Sequence, residues 1–516
     1  MTGFCGDTVK TPYHGSKEPF ELRSGKILFH DWRYVYHGGT GWVTRSGENL
    51  GLWSQDPVPE LRWAGGDLPT GIKLKVIRAK KSDPVIEADR PWEGMLHSPS
   101  LMNIGDRYRL WYESVPPEDM GKEYAGRRNL LCYAESEDTE EWRKPELGVT
   151  DYLGIEGTNI VYGGSLTGET GYHGGSVFLD RSAPEGERYK AIHLGFLSRE
   201  RYDKLREERG GEADPNNEGR ETPCAIFGAV SPDGVHWEGI PNPLVLQYSD
   251  TQNVAYYDPF LERYVAYTRT WVMGRRSVGR SESLDFRVFP QPETFLWPDA
   301  SVGPSDLWYA NGKTSYPDSE DYHLLFPKRW RVSEDRFYVH LSTSPDGMMW
   351  GPPVEVLAPG EPGEWDHGGV DVGPGMVHLP GSRVGVPFIG YAVPHKYTRH
   401  APVGKIALAY WREGRLMGIE AEEKGWFRTT SVRFEGRRLH VNASTERTGE
   451  IRIGVSNRRG VTIEGRGESE CEPIIGDHLD KTVTWDGSSD IGNAEGEAVS
   501  FRVSLRQARL FAMWFT

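Results

Sequence analysis

Apolar residues along this chain come in short runs that alternate with polar ones and are broken by Gly, Pro and Asp. That period of two predicts half-buried strands and hairpins, not helices. Residues 248–289 (YSDTQNVAYYDPFLERYVAYTRTWVMGRRSVGRSESLDFRVF) show the plan well. NVAYYD leads into a Pro259-Phe260-Leu261-Glu262 turn, then RYVAYTR, a Gly274 turn and RSVGRSES: a small antiparallel sheet with Asp250 just before its first strand and Arg269 and Arg276 around its second turn.

The same plan occurs five times. Its copies begin with LMNIGDRYRLWYES (101–114), GGSVFLDRSAPEGERYKAIHLG (174–195), the stretch above, DYHLLFPKRW (321–330) and GPGMVHLPGSRVGVPFIGY (373–391). DRYRLW, ERYKAI and ERYVAY are near-repeats, as are SPDGVHW (231–237) and SPDGMMW (344–350). Five units of four short strands predict an all-β fold, a five-bladed β-propeller, because radial packing leaves few open sheet edges. Trp142, Trp237 and Trp350, which close three of the third strands, are expected to be structural, and the Asp-Gly pairs before two of them to be turns. The insertion at 198–220 reads as a charged helix followed by a mobile loop.

Outside the repeats, KILFHDWRYVYHGGTGW (26–42) predicts a strand pair with a Gly38-Gly39 turn. From about residue 421 the strands lengthen and alternate strictly, with Leu439, Val441 and Ala443, Ile451, Ile453 and Val455, and Phe501, Val503 and Leu505 as three apolar faces. This predicts a C-terminal β-sandwich. The expected organisation is an N-terminal segment over 1–90 that packs on or closes the propeller, the propeller over 91–420 and the sandwich over 421–516.

Composition agrees: 62 Gly, 35 Pro, 18 Trp and 24 Tyr in 516 residues suit an aromatic-rich β-protein with many turns. A formal charge of −15 argues against nucleic acid and anionic membranes as partners. The start of the chain lacks a basic-then-apolar leader pattern and no long apolar run occurs, so a soluble, cytoplasmic protein is expected. Cys5, Cys132, Cys224 and Cys471 lack metal-ligand spacing. No cofactor is expected, a structural calcium in the central channel being the alternative. The oligomeric state is left open.

Candidate chemistry lies where each inner strand begins, because these ends converge on one mouth of a propeller. The five entries carry Trp92, Glu93 and His97; His173; Asp250; Asp306 and Tyr309; and Asp366, His367 and Asp371. Carboxylates around a sugar-sized pocket with aromatic walls are the requirement for glycoside hydrolysis, one protonating the leaving oxygen and one serving the anomeric carbon or water.

With DRPWEG (89–94), GGSVFLDRSAPEGERYKA (174–191), SDTQNVAYYDP (249–259), RRSVGRSESLDF (275–286) and the segment 471–477, the chain resembles the five-bladed propeller glycoside hydrolases, the clan of invertases, levansucrases and arabinanases, and most closely a bacterial family-32-like group. The likeness spans most of residues 25–516. It implies an acid on the first strand of each of three blades. By blade order these are Glu93, Asp250 and Asp306, with His173 standing where the second blade would carry an acid, as proton donor or hydroxyl ligand. The invertase-type Asn-Asp-Pro-Asn-Gly is absent. Trp92, His97, Arg269, Arg276, Tyr309, Arg329, Asp366, His367 and Asp371 are the expected substrate contacts. The resulting expectation is a glycosidase acting on a small sugar or oligosaccharide glycoside. The alternatives are a glycoside phosphorylase, using Arg269, Arg275, Arg276, Lys328, Arg329, His395 and Lys396, or a non-catalytic carbohydrate-binding propeller.

Overall fold

The structure is a computed structural model that describes residues 19–22, 24–38, 68–120, 128–164, 170–210, 214–397, 404–458, 460–494 and 496–516. Contacts divide the chain into two units. One holds 78–342 and 352–411; the other holds the described residues up to 77, together with 343–351 and 412–516. The N-terminal stretch is therefore shared between them, and the division falls elsewhere than at 90 and 420.

In the first unit the repeats form antiparallel sheets. Blade I is Met95–Ile104, Arg107–Val115, Leu130–Ser136 and Trp142–Arg143, with Ile160–Gly163 added to its third strand. Blade II is His173–Leu179, Tyr189–Phe196, Cys224–Ser231 and Glu238–Gly239, and blade III is Val254–Asp258, Arg263–Val272, Arg275–Ser283 and Glu293–Leu296. In blade IV, Leu307–Ala310 and Thr314–Tyr316 share the inner position and Ser319–Leu325 and Lys328–Arg331 the second; Arg336–Ser344 and Val354–Leu357 complete it. Blade V has Gly369–Val372 and Val377–Leu379 innermost, then Arg383–Tyr391 and Gly404–Arg412. Its outermost strand is Lys80–Lys81, which pairs with Ala409 and Tyr410. A strand that precedes blade I in sequence thus completes blade V, tying the two ends of the repeat region together.

Hydrogen bonds between inner strands complete the circle: Val177 N to Ser100, Asn253 N to Gly174 O, Asn311 Nδ2 to Gln252 O, Met376 N to Thr314 Oγ1, and Leu101 N to Pro374 O. The closest approach, between blades V and I, requires glycine: a Cβ on Gly373 would stand 1.9 Å from Pro99 O, and one on Gly375 1.8 Å from Leu101 O.

The repeated motifs prove to be joints. The Tyr of each Arg-Tyr pair reaches the blade before its own. Tyr108 donates to His378 O at 3.0 Å, Tyr189 accepts from Arg109 at 3.2 Å, and Tyr264 donates to Asp180 at 2.7 Å. In the SPDG turn, Asp233 Oδ1 accepts the amides of Val235 and His236 while Trp237 Nε1 donates to Gly234 O. Asp346 with Trp350 repeats these bonds, and Asp138 with Trp142 does so with Thr139, at φ 71°, in the glycine position.

The charged insertion forms the expected helix, Arg199–Arg209, capped by Ser198 Oγ and ended by Gly210 at φ 66°. Tyr202 and Leu205 bury its inner side with Leu197, Phe227 and Leu246. Of the loop read as mobile, 211–213 lie outside the described residues, and residues 214–217 are anchored by Asn217 to both backbone groups of Cys224.

In the second unit, all the described strands join one sheet of eight. Its long members, Met417–Arg428, Leu439–Asn457 and Val499–Phe515, run side by side through register shifts near 421–424 and 445–450. The three apolar triplets named above are all buried. Lys26–Leu28 pairs with Ala512–Trp514 and Val35 bridges to Thr429. The legs of the expected N-terminal hairpin therefore pair with C-terminal strands, not with each other, while its turn beyond Gly38 lies outside the described residues.

Candidate active site

Inner-strand side chains line the channel at every second position, so the inter-blade hydrogen bonds set the level of each residue. Gln252 Nε2 reaches Pro99 O and Gly175 O, at 3.1 and 3.3 Å, and Asn311 and Gly373 join the same layer from blades IV and V. Next to this layer a chain of interactions links His97, His173, Asp250, Tyr309 and Asp371: Glu113 with both histidines, His173 with Asp250, Arg276 with Asp250 and Tyr309, and Lys328 with Tyr309 and Asp371. The structure brings together these five of the expected residues as one tier. Register shifts directly after His97 and His173, with Ser98 at φ 46°, mark bulges that turn both imidazoles.

Each member of the tier is held from behind. Glu113, opposite His97 on the second strand of blade I, is fully buried. Its Oε1 receives His173 Nδ1 at 2.7 Å and Asn129, and its Oε2 receives the Gly174 amide at 2.8 Å. Burial alone would raise its pKa; the His173 imidazolium and these donors overcome that and hold it at about 2. The same contact outweighs the burial of His173 and lifts its pKa to about 9, with Asp250 adding to the effect. His97 lies 2.9 Å from the Tyr391 hydroxyl.

Asp250 accepts from Tyr248 Oη at 3.0 Å and pairs with Arg269, while Arg276 Nη1 stands 3.5 Å away. Burial opposes its ionisation, but the two guanidiniums and His173 hold its carboxyl well below the usual range. Arg276 lies over the Tyr309 ring at 4.1 Å, and Lys328 Nζ lies 4.7 Å from that ring. Lys328 pairs with Asp371 Oδ2; Asp371 Oδ1 is buried without a hydrogen-bond partner. Trp271, 39% exposed, stacks against both arginines and offers a half-open aromatic face beside Asp250. Asp214 accepts the Tyr248 amide and Arg220 stacks on the Tyr248 ring at 4.7 Å, so the insertion supports this side of the mouth.

Other expected residues lie off the tier. Glu93, expected as the first acid, is a correction: its Oε1 accepts Tyr112 Oη at 2.6 Å, and its Oε2 accepts Lys144 Nζ at 2.7 Å and two backbone amides. With its side chain fully buried and both oxygens occupied, it ties blade I together. Trp92 is buried in the same core and donates to Asn159 at 2.9 Å. Asp306 falls one residue out of phase with Tyr309 and receives both Nε and Nη2 of Arg329, itself one residue out of phase with Lys328. That pair neutralises itself away from the channel. Asp366 is buried against Lys81, and His367 receives Arg336 on its carbonyl at 2.8 Å. Arg275 donates to the carbonyls of Pro298, Gly303 and Asp306, a structural role.

Sequence reasoning missed Glu113, Asn129, Tyr248, Trp271 and Tyr391. The only signal for Glu113 was an acidic residue inside the apolar run LWYES. Among the described residues, no group of three or more His, Cys, Asp or Glu could hold a metal ion.

No family model matches the sequence, and no curated protein matches it. Solved structures do align with it. One titled glycoside hydrolase is 13% identical, covering 65% of this chain and 92% of its own, with a TM-score of 0.43. A Bombyx mori glycoside hydrolase family 32 beta-fructofuranosidase is 10% identical over 84% of this chain and 93% of its own, at a TM-score of 0.41. Beta-1,2-mannobiose phosphorylase from Listeria innocua is 10% identical over 66% of this chain and 97% of its own, at 0.42. At such identities and scores, none of these proteins' activities transfers to this chain.

Proposed function

We propose that the mouth is the active site of a glycosidase that hydrolyses a small sugar or oligosaccharide glycoside. The observation that carries this reading is a pair of oppositely supported groups, His173 held 2.7 Å from the buried Glu113 and Asp250 paired with Arg269; the first contact raises the imidazole's pKa to about 9 and the second keeps the carboxyl well below the usual range. Hydrolysis needs that asymmetry, one proton donor for the leaving oxygen and one carboxylate for the anomeric centre, and two carboxyl groups usually supply it. Here His173 gives its proton to the leaving oxygen as the glycosidic bond breaks. Asp250 either attacks the anomeric carbon or takes a proton from the water that does. Asp371 Oδ1 is a free acceptor for a sugar hydroxyl, and Trp271 is a stacking face.

A screen of nitrophenyl pyranosides and furanosides tests the activity, alongside the corresponding alkyl glycosides. Nitrophenolate departs without a proton, so His173→Ala should slow alkyl glycosides at least tenfold more than nitrophenyl ones. Equal loss on both substrates removes His173 from the donor role. Absence of turnover on every glycoside removes the hydrolase reading.

A further inference from the structure

Among the described residues, one side of the mouth carries more guanidinium charge than carboxylate. Glu113, Asp250 and Asp371 are met there by His173, Arg269, Arg276 and Lys328, in a chain whose net charge is −15. The Arg329–Asp306 pair adds nothing to either side. The excess lies on blades III and IV, where one carboxylate, Asp250, faces two guanidiniums.

Two details show that this pair is not used up internally. Arg269 is 2% exposed, yet its Nε has no hydrogen-bond partner. Arg276 Nη1 is also buried without one, its 3.5 Å approach to Asp250 lacking hydrogen-bond geometry. A buried guanidinium N–H left unpaired is costly, and an oxyanion supplies the acceptor it lacks. Arg276 is set by stacking as well as by its 3.5 Å approach to Asp250, its guanidinium lying 4.1 Å from Tyr309 and 5.6 Å from Trp271. Stacking fixes the plane of the fork while leaving its edge for a ligand. Arg275, next in sequence, makes the contrast: three backbone carbonyls occupy it.

We infer that the Arg269–Arg276 side of the mouth is an oxyanion subsite, so that the sugar this site takes carries a negative group, the carboxylate of a uronic acid or a phosphate. The inference rests on the mouth being the sugar site and extends that reading to the class of substrate. A neutral sugar's hydroxyl accepts from such an N–H without balancing its charge, whereas a planar carboxylate does both at the Arg276 fork while its ring lies against Trp271.

The test is binding, measured by calorimetry on the full chain, so it is independent of turnover. Glucuronate and galacturonate are titrated against glucose and galactose, and inorganic phosphate is titrated separately, with the wild type, Arg276→Met and Arg276→Lys. The expected result is roughly ten- to a hundredfold tighter binding of an anion than of its neutral counterpart, the range of one or two charge-assisted hydrogen bonds. Arg276→Met should bring the anion down to the neutral level; Arg276→Lys should keep part of the preference, which also shows that the variants fold. A preferred uronate identifies a carboxylate on the substrate. Preferred inorganic phosphate identifies a phosphoryl group. Equal binding of charged and neutral ligands, or a preference unchanged in Arg276→Met, overturns the subsite. An anion preference without hydrolysis of any glycoside leaves the subsite standing and overturns only the hydrolase.

Discussion

The two ends of the propeller channel are made by the same inner strands, but among the described residues only one gathers paired acidic and basic side chains. At the near mouth, the tier of His97, His173, Asp250, Tyr309 and Asp371 includes a histidine raised by the buried Glu113 and an aspartate lowered by Arg269 and Arg276. The far end opens into a cavity of about 590 Å³ whose walls include Met102, Val177, Phe178, Tyr256 and Met376. Its one buried cation among the described lining residues is Lys313, 4.2 Å from the Tyr256 ring and bonded to Thr314 O at 2.7 Å. Burial outweighs the attraction of Asp258 there and lowers the amine to about 7. The presence of this cavity would point to the far end. Paired groups with opposed pKa shifts choose the near one, because chemistry needs a donor and an acceptor side by side and not merely room.

The sharpest way to break this contrast is Asp250→Asn. Loss of the ionised carboxylate should lower kcat by about a thousandfold, and a variant within tenfold of wild type would move the chemistry away from this mouth. Next comes Glu93→Gln, which should cost about 3 kcal/mol of stability by leaving Lys144 facing a neutral amide, without altering kcat of the folded protein. Reduced kcat at full stability would return Glu93 to the site.

Glu113→Gln tests the backing of the tier. Without that carboxylate the His173 pKa should fall from about 9 towards 6.5, so the alkaline limb of the pH–rate profile should move down by roughly two units. In the wild type the raised His173 pKa also means that the pair's stabilisation is complete below pH 6.5 and is lost as pH rises through 9; thermal unfolding across that interval should show it, and Glu113→Gln should remove it.

The smallest effect belongs to the far end. The unfolded chain keeps the Lys313 proton up to pH 10.5, whereas the folded chain releases it near 7, so stability should rise with pH between those values. Lys313→Met should flatten that rise and leave kcat within twofold. A large loss of kcat would show that the far end takes part in the chemistry.

Much of the fold was legible because strand repeats are local. A period of two and a turn residue recur in each copy, and a Tyr that reaches the preceding blade in three of them, whatever lies between. The site was legible only to the level of strand ends. His173 begins an inner strand and Asp250 lies just before one, and both were found by position. Glu93 begins one too, yet it points into the blade, while Glu113, twenty residues later on a second strand, reaches the tier. Asp306 and Tyr309 are three residues apart, and the alternation of a strand puts one against Arg329 and the other on the channel.

By itself, then, the sequence determined the strand pattern, the repeat, the aromatic joints and the set of charged residues from which a site could be made, since these depend on neighbours along the chain. Tertiary structure alone decided that residues 80–81 complete blade V, which carboxylates face the channel and which cations they share. Those outcomes depend on register between blades and on burial, and both arise only when segments far apart in the chain come within a few ångströms of each other.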